Sequence, residues 1–253
     1  MIKSSIKKNR LKKTFSQNLN KEQKLFRKRI LEVSHERKFS HIGSCLSAVD
    51  IISSIYKIKN KGDKFILSSG HAGVAWYVVL EKYGLLKKSD ISKLHLHPDR
   101  NTKIDIHVST GSLGQGLPIG IGMALANRKR NVYCLISDGE CTEGSIWESL
   151  RLASEQKLNN LKMIINANGY GGYDKINLNA LMKKIKAFEH EVLTVDGHNL
   201  LEMVKKLNTK IKDKPLVIFA KTTVEQLPFL KGQDAHYKVM TDEDYNSAIQ
   251  QLE

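Results

Sequence analysis

The sequence predicts an α/β protein, a parallel sheet with helices on both faces. Three observations carry the prediction. Short runs rich in Val, Ile and Leu recur between longer segments of helical periodicity. Those runs are almost continuously apolar rather than alternating, as expected of strands covered on both sides. The chain, 253 residues of which 41% are hydrophobic and 26% charged, can bury a substantial core and is unlike a disordered or collagen-like sequence.

The elements follow in order. Residues 1–18 are polar and basic and read as an arm. Asn20 is placed to cap a helix running to about Arg37, with Leu25, Ile30 and Leu31 on one side. LSAVDIISSIYKI at 46–58 has helical periodicity. FILSS at 65–69 reads as a short strand stopping at Gly70, and HAGVAWYVVLEKYG as a helix stopping at Gly84. A loop with Pro98 leads to TGSLGQG at 110–116, and PIGIGMALANRK then forms a helix with Pro118 in its first turn. The next stretch alternates cleanly. Strands are expected at 131–137, 161–166, 191–195 and 215–221, and helices at 144–158, 178–186 and 200–209. Thr241 opens a last helix, with Asp244 completing a capping box. No repeat or low-complexity linker interrupts the chain, which divides into a basic arm and helix at 1–40 and a main domain at 41–253.

The net charge of +15 points first to nucleic acid. Residues 1–30, however, hold eleven Lys and Arg against one acid, Glu22, and only 8 of the chain's 41 basic residues are Arg. Nucleic-acid readers rely on Arg for bidentate contacts, so the favoured reading is a solvated basic helix. The most apolar stretch, LPIGIGMALA at 117–126, is about half of a membrane span. The first thirty residues lack the apolar core of a secretory signal. Cys45, Cys134 and Cys141 are odd in number and lack metal-ligand spacing, as expected of reduced thiols in a cytoplasmic protein.

In open α/β sheets, ligands bind beyond the carboxyl ends of strands. One predicted strand runs into Ser137-Asp138-Gly139-Glu140 and the next into Asn166-Ala167-Asn168-Gly169-Tyr170-Gly171-Gly172. Asp138 and Asn168 are one strand–helix–strand unit apart, so the two loops are expected side by side. A carboxylate, an amide oxygen and a loop carbonyl are hard ligands suited to Mg²⁺ or Ca²⁺. Gly139 would let backbone approach a phosphate, and TGSLGQG is a second glycine-rich turn able to cradle a diphosphate. Either loop alone could be a simple turn. Together, at this spacing, they favour a site. Five of nine His lie in loops or beside glycines: His41, His71, His97, His107 and His236. Gathered at a phosphate site, such residues could position a sugar hydroxyl or move protons.

These residues resemble the N-terminal, diphosphate-binding part of the transketolase family, in the form split over two chains. SHIGSCLSAVDII, LSSGHAGVAWYVVL, TGSLGQGL, the segment from Asp138 to Asn168, VDGHN and AHYKV each resemble a family segment. The resemblance runs from about His41 to the C-terminus. It implies the diphosphate-binding (PP-type) fold and thiamin diphosphate held with Mg²⁺ (or Ca²⁺). It implies that Asp138, Asn168 and the Tyr170 carbonyl hold the metal. Gly111, Ser112, Leu113, Gly139, Glu140, Asn168, His71 and His236 would contact the cofactor. His41, His71, His97 and His236 would face the substrate, and Glu143 would lie at an interface toward a catalytic glutamate of the partner.

The implied activity is two-carbon ketol transfer between sugars or sugar phosphates. The family's pyrimidine-binding domain is absent from these residues, so the resemblance implies a partner chain that carries it, in a two-plus-two heterotetramer. Four departures from the pattern bear on the substrate: Ser137 for the first Gly of Gly-Asp-Gly, Asn166 for an Asp, Val224-Glu225-Gln226-Leu227 for Gly-Lys-Gly, and an unusual richness in Gly after Asn168. The rival readings are a subunit of another thiamin-diphosphate enzyme (one branching a sugar, or a 2-oxo acid decarboxylase or dehydrogenase), a nucleic-acid-binding protein using residues 1–30, and a non-catalytic scaffold.

Overall fold

The computed structural model describes residues 15–253. The first fourteen residues of the expected basic arm lie outside the described residues. Five strands, β1 (Lys64–Leu67), β2 (Val132–Ser137), β3 (Leu161–Ala167), β4 (Glu191–Asp196) and β5 (Leu216–Lys221), form one sheet in the order β1-β2-β3-β5-β4. Every pair is parallel. Successive parallel strands need long connections, and helices supply them: α5 (Gly144–Glu155) between β2 and β3, α6 (Leu178–Lys186) between β3 and β4, which lie on either side of β5, and α7 (Leu200–Leu207) between β4 and β5. The remaining helices are α1 (Lys21–Glu36), α2 (Ile42–Ile58), α3 (Gly73–Lys82), α4 (Gly116–Ala126) and α8 (Asp242–Gln251).

The strands feed two cores by simple alternation. Tyr133 and Leu135 of β2, Ile164 of β3 and Leu216, Ile218 and Ala220 of β5 pack with residues of α1, α2, α3 and α7. Their neighbours Cys134, Ile136, Met163, Ile165, Val217 and Phe219 pack with α4, α5 and α6 on the other face. All three cysteines are buried and free, and burial raises each thiol above its usual value.

The caps follow the sequence closely. Asn20 accepts the Gln23 N–H at 2.9 Å, and the Gln23 side chain accepts the Asn20 N–H at 3.2 Å. Thr241 and Asp244 form the same reciprocal box at the start of α8. Two details differ. Leu25 is 54% exposed, whereas Phe26, Ile30, Leu31 and Val33 are buried. At about 100° per residue, Leu25 stands about 140° round the helix from Ile30, off the apolar stripe. α2 begins at Ile42, a turn earlier than its periodicity suggests, directly after His41. Gly43 belongs to that extra turn, where a Cβ would stand 3.1 Å from Ala235 and from Val224.

Among the described residues, α1 packs directly onto the rest of the chain. α1 shares its core with α2 and α3, and a buried ion pair pins it to α2. Arg27, 1% exposed, grips Asp50, 0% exposed, through Nη2–Oδ2 at 2.6 Å and Nη1–Oδ1 at 3.1 Å. Arg27 Nε also donates to Gln226 at 2.8 Å. His198 Nε2 accepts the Thr223 N–H, which leaves the proton on Nδ1 for Asp50 at 2.8 Å. Burial alone would raise the Asp50 pKa; the charge of Arg27 and the bonds from His198 and Arg27 outweigh it and hold the carboxylate below its usual range. One cation counted in the sequence as solvated helix charge is therefore a core residue.

Candidate active site

The strands all end at one edge of the sheet. β2 and β3 are hydrogen-bonded neighbours, with Ser137 opposite Asn166, so the loops that follow them leave side by side. Asp138 is fully buried between them. Its Oδ1 accepts the Gly139 N–H at 3.0 Å, and its Oδ2 accepts the Gly169 N–H, from the neighbouring loop, at 2.6 Å. Burial pushes the Asp138 pKa up to about 7, and the backbone donors at Gly169 and Gly139 only partly pull it back.

Asn168 follows β3, and its Oδ1 accepts the Tyr170 N–H at 2.9 Å. Gly169 has φ +87, a left-handed turn that glycine adopts at no steric cost. The chain then returns on itself as a small ribbon with Tyr170 opposite Lys175, closed by Gly171 N–H to Asp174 O at 2.8 Å and Ile176 N–H to Gly169 O at 2.9 Å. At Gly139 a Cβ would stand 2.7 Å from the Gly171 Cα. The glycine is thus required for the approach of the two loops, in addition to leaving room beside the cleft.

A cleft of about 170 Å³ opens over these loops. Its lining includes His41, His71, His97 and His236, together with Gly111, Leu113, Gly139, Asn168 and Tyr170. Four histidines from distant parts of the chain therefore converge, a fact that composition could not reveal. The His41 ring lies 5.4 Å from His71, 6.4 Å from His97 and 4.4 Å from His236, centroid to centroid. His41 itself has φ 63 and ψ 23, an uncommon conformation for a side chain of its size, held by its N–H on His236 O at 3.1 Å. Its Nδ1 is buried and has no hydrogen-bond partner. The Gly111 turn packs on His97, whose Cδ2 would be 2.9 Å from a Cβ at 111.

Burial, and then the neighbouring imidazoles, lower the pKa of His41 to about 4 and of His71 to about 3. Burial also lowers that of His236. At neutral pH these rings are uncharged, each with one nitrogen to donate and one to accept.

Asp138 lies buried beneath the cleft rather than in its lining, and three further expected site residues stand outside it. Ser112 is exposed at its turn and is outside the lining. Glu140, expected beside the cofactor, is fully buried away from the cleft. Its carboxylate takes the Ser68 hydroxyl, the Gly114 N–H at 2.8 Å and the Ser137 N–H at 3.4 Å, so it holds the TGSLGQG turn in place. Sequence adjacency to Asp138 and Gly139 suggested the cofactor; a 3-10 turn at Gly139–Thr142 swings the side chain inward instead. Glu143 is half-buried at the start of α5, also outside the lining. Gly171 and Gly172, the end of the glycine-rich loop after Asn168, line the cleft as well; Ser44 also lines it and was not anticipated. Ser44 Oγ stands 3.4 Å from His236 Nδ1; its place in SHIGS, three residues after His41, was the available signal.

The profile of the family described as "Transketolase, thiamine diphosphate binding domain" matches residues 26–252. The chain belongs to the transketolase family. It is 31% identical over 263 residues to one subunit of the apulose-4-phosphate transketolase of Actinobacillus succinogenes, covering 92% of this chain and 95% of that one. It is 32% identical over 258 residues to the 6-deoxy-6-sulfo-D-fructose transketolase subunit SqwG of Clostridium sp., covering 90% and 94%. Against the transketolase of Pongo abelii it is 36% identical over 208 residues, 72% of this chain and only 33% of that protein. The crystal structure of Campylobacter jejuni transketolase superposes with a TM-score of 0.80 at 26% identity, over 91% of this chain and 42% of the other.

Within a transketolase domain the departures have local explanations. Ser137 is not among the residues with positive φ, and its hydroxyl accepts the Glu140 N–H at 3.0 Å. The Asn166 amide donates to Ser47 at 2.9 Å and accepts the Thr222 hydroxyl at 2.5 Å; an ionised Asp could not donate to Ser47. Val224 and Leu227 are buried, and Gln226 bonds to Leu46 O at 3.0 Å.

Proposed function

We propose that this chain is the diphosphate-binding subunit of a two-chain transketolase, active when a second polypeptide supplies the pyrimidine-binding half of the site. The relatives support the split: the two subunits named above match almost end to end, whereas the match to the Pongo abelii enzyme takes in about a third of it. The observation that carries the reading is the pair Asp138 and Asn168, at adjacent strand ends, beneath a cleft that gathers four histidines.

The donor chemistry fits Mg²⁺ (or Ca²⁺) and a diphosphate. Asp138 offers a buried carboxylate, whose charge a divalent cation would compensate, and Asn168 and the Tyr170 carbonyl would complete the protein's share of a hard oxygen set. Gly111 and Leu113 from the opposite wall would bound the cofactor. Thiamin diphosphate, when bound, supplies the capacity to break and form a carbon–carbon bond next to a carbonyl. The protein's own contribution is orientation and proton handling. Neutral His41, His71 and His236 can each take a proton from a sugar hydroxyl at one nitrogen and donate from the other.

Both of those two-chain relatives are named for ketoses with an anionic group, a phosphate in one and a sulfonate in the other. The substrate class proposed here is accordingly a ketose bearing a terminal phosphate or sulfonate, with an aldehyde acceptor. The assembly is proposed as a two-plus-two heterotetramer in the cytoplasm. Purification from the native source, with mass spectrometry of what travels along, identifies the partner. In that complex, with Mg²⁺ and thiamin diphosphate, two-carbon transfer is expected, and Asp138→Ala should abolish both transfer and cofactor uptake. A wild-type complex that takes up no thiamin diphosphate overturns the reading, and activity that survives Asp138→Ala restores the scaffold alternative.

A further inference from the structure

The loop that carries two of the three metal donors is tied directly to the segment that carries His236. Gln233 Nε2 donates to Gly171 O at 2.6 Å, and the Tyr237 hydroxyl donates to Gly172 O at 2.7 Å. Gly171 and Gly172 both line the cleft, one and two residues after Tyr170. The Tyr170 ring lies over Gly232, 3.7 Å from where a Cβ would stand. The Tyr237 ring also packs edge-on against His236, centroids 4.8 Å apart. The segment is anchored from behind: Glu225 accepts the Gly232 N–H at 2.8 Å, and Gln226 bonds to Leu46 O, Thr223 O and Arg27. Those anchors come from the stretch Val224–Leu227, where the sequence departs from the family's Gly-Lys-Gly.

We infer that Gln233 and Tyr237 form a clasp. They are positioning residues that fix the Asn168–Gly172 loop relative to His236, so that the diphosphate end of the cleft and its substrate end are held in one register. Neither bond serves the local ribbon, which is already closed by Gly171 N–H to Asp174 and Ile176 N–H to Gly169. Both are spent on carbonyls that point out of the ribbon toward the opposite wall. The Gln233 amide must be oriented as it is, because a carbonyl needs a donor. The Gln233 Oε1 is buried without a partner, so the side chain accepts an unmet acceptor in order to make this one bond. Residues 230–237 hold no other side-chain bond to the loop among the described residues. The two residues also divide the labour. The Gln233 side chain bonds to the loop alone; Tyr237 bonds to the loop through its hydroxyl and packs through its ring on His236, and more distantly on His41.

This inference rests on the cofactor reading above for its functional consequence, and two measurements separate them. The first uses the full chain without ligand. Amide exchange over residues 169–176 should quicken in Gln233→Leu and in Tyr237→Phe, with the rest of the chain unchanged. The second uses the assembled complex and titrates thiamin diphosphate at fixed Mg²⁺ by calorimetry. Gln233→Leu should weaken uptake about five- to hundredfold, the range for a partly buried acceptor left unmet. Tyr237→Phe, which loses an exposed bond and keeps the ring, should weaken it about threefold and leave the sugar KM unchanged. Tyr237→Ala should also raise the sugar KM, because His236 loses its packing. Unchanged exchange and uptake in both Gln233→Leu and Tyr237→Phe overturn the clasp. So does slower exchange, or a KM effect as large in Tyr237→Phe as in Tyr237→Ala. Should Gln233→Leu fail to fold, the Tyr237 pair decides alone. A wild-type complex without cofactor uptake overturns the functional reading, while the exchange experiment still tests the clasp.

Discussion

Arg27→Met removes the cation from a fully enclosed pair while roughly preserving the volume of the side-chain stem. Asp50, 0% exposed, then keeps only the His198 Nδ1–H at 2.8 Å, and Gln226 Oε1 loses its donor at 2.8 Å. Breaking a buried pair from one side costs about 3–5 kcal/mol, and an unmet acceptor adds about 1 kcal/mol. The expected loss is about 4–6 kcal/mol at pH 8, read from urea melts of the full chain followed by circular dichroism. The cost should depend on pH in a defined direction. In the wild type, Asp50 is held below 3.8, so its contribution is present above that value and lost as pH falls. In the variant, burial without Arg27 raises the Asp50 pKa, the folded chain binds a proton the unfolded chain has released, and stability falls as pH rises. The difference between the two proteins should therefore shrink on going from pH 8 to pH 5, by about 1 kcal/mol or more. Replacing both partners, as in Arg27→Met with Asp50→Leu, should recover over half of the loss. A loss below about 1 kcal/mol, or one equal at the two pH values, would refute this account of how α1 is held.

Gly139→Ala should act on the site through shape alone. Its Cβ would stand 2.7 Å from the Gly171 Cα, so the two loops must part. We expect thiamin diphosphate uptake in the complex to weaken at least tenfold, while urea melts show a cost of about 1–3 kcal/mol; unimpaired uptake would show that the loops need not touch. The histidine cluster gives the acid limb of the stability curve. With pKa values of about 4 for His41 and about 3 for His71 against 6.5 in the unfolded chain, their contribution is present above about 6.5 and lost as pH falls toward 4. His71→Asn should flatten that limb by up to about 1.4 kcal/mol per pH unit, and an unchanged slope between pH 6.5 and 5 would rule the residue out as its source.

Much of this architecture was legible because the signals were local. Short apolar runs bounded by turn residues read as strands between crossover helices, and β2, β3, β4 and β5 appear within a residue or two of their expected bounds, although β4, at the sheet edge, is only half-covered. The spacing of Asp138 and Asn168 survives because β2 and β3 are neighbours in the sheet as well as in the chain. What escaped is tertiary. Arg27 counts as surface charge until Asp50 is found opposite it. Glu140 reads as a cofactor ligand until the turn at Gly139–Thr142 directs it toward Gly114. Leu25 reads as core until its angle on the helix is set against Ile30. The convergence of four histidines has no local signature, since each arrives from a different loop.

The cleft joins segments from near the two ends of the chain. Ser44 and His236, which face each other across 3.4 Å, are 192 residues apart in sequence. At about 5–20 residues per second of synthesis, about 10–40 s pass between the making of one wall and the other. Throughout that interval the sheet can begin to form while no ligand site exists. During translation the cleft therefore closes only after its strands are made, and a product truncated between residues 222 and 235 would have all five strands but nothing with which to close the cleft.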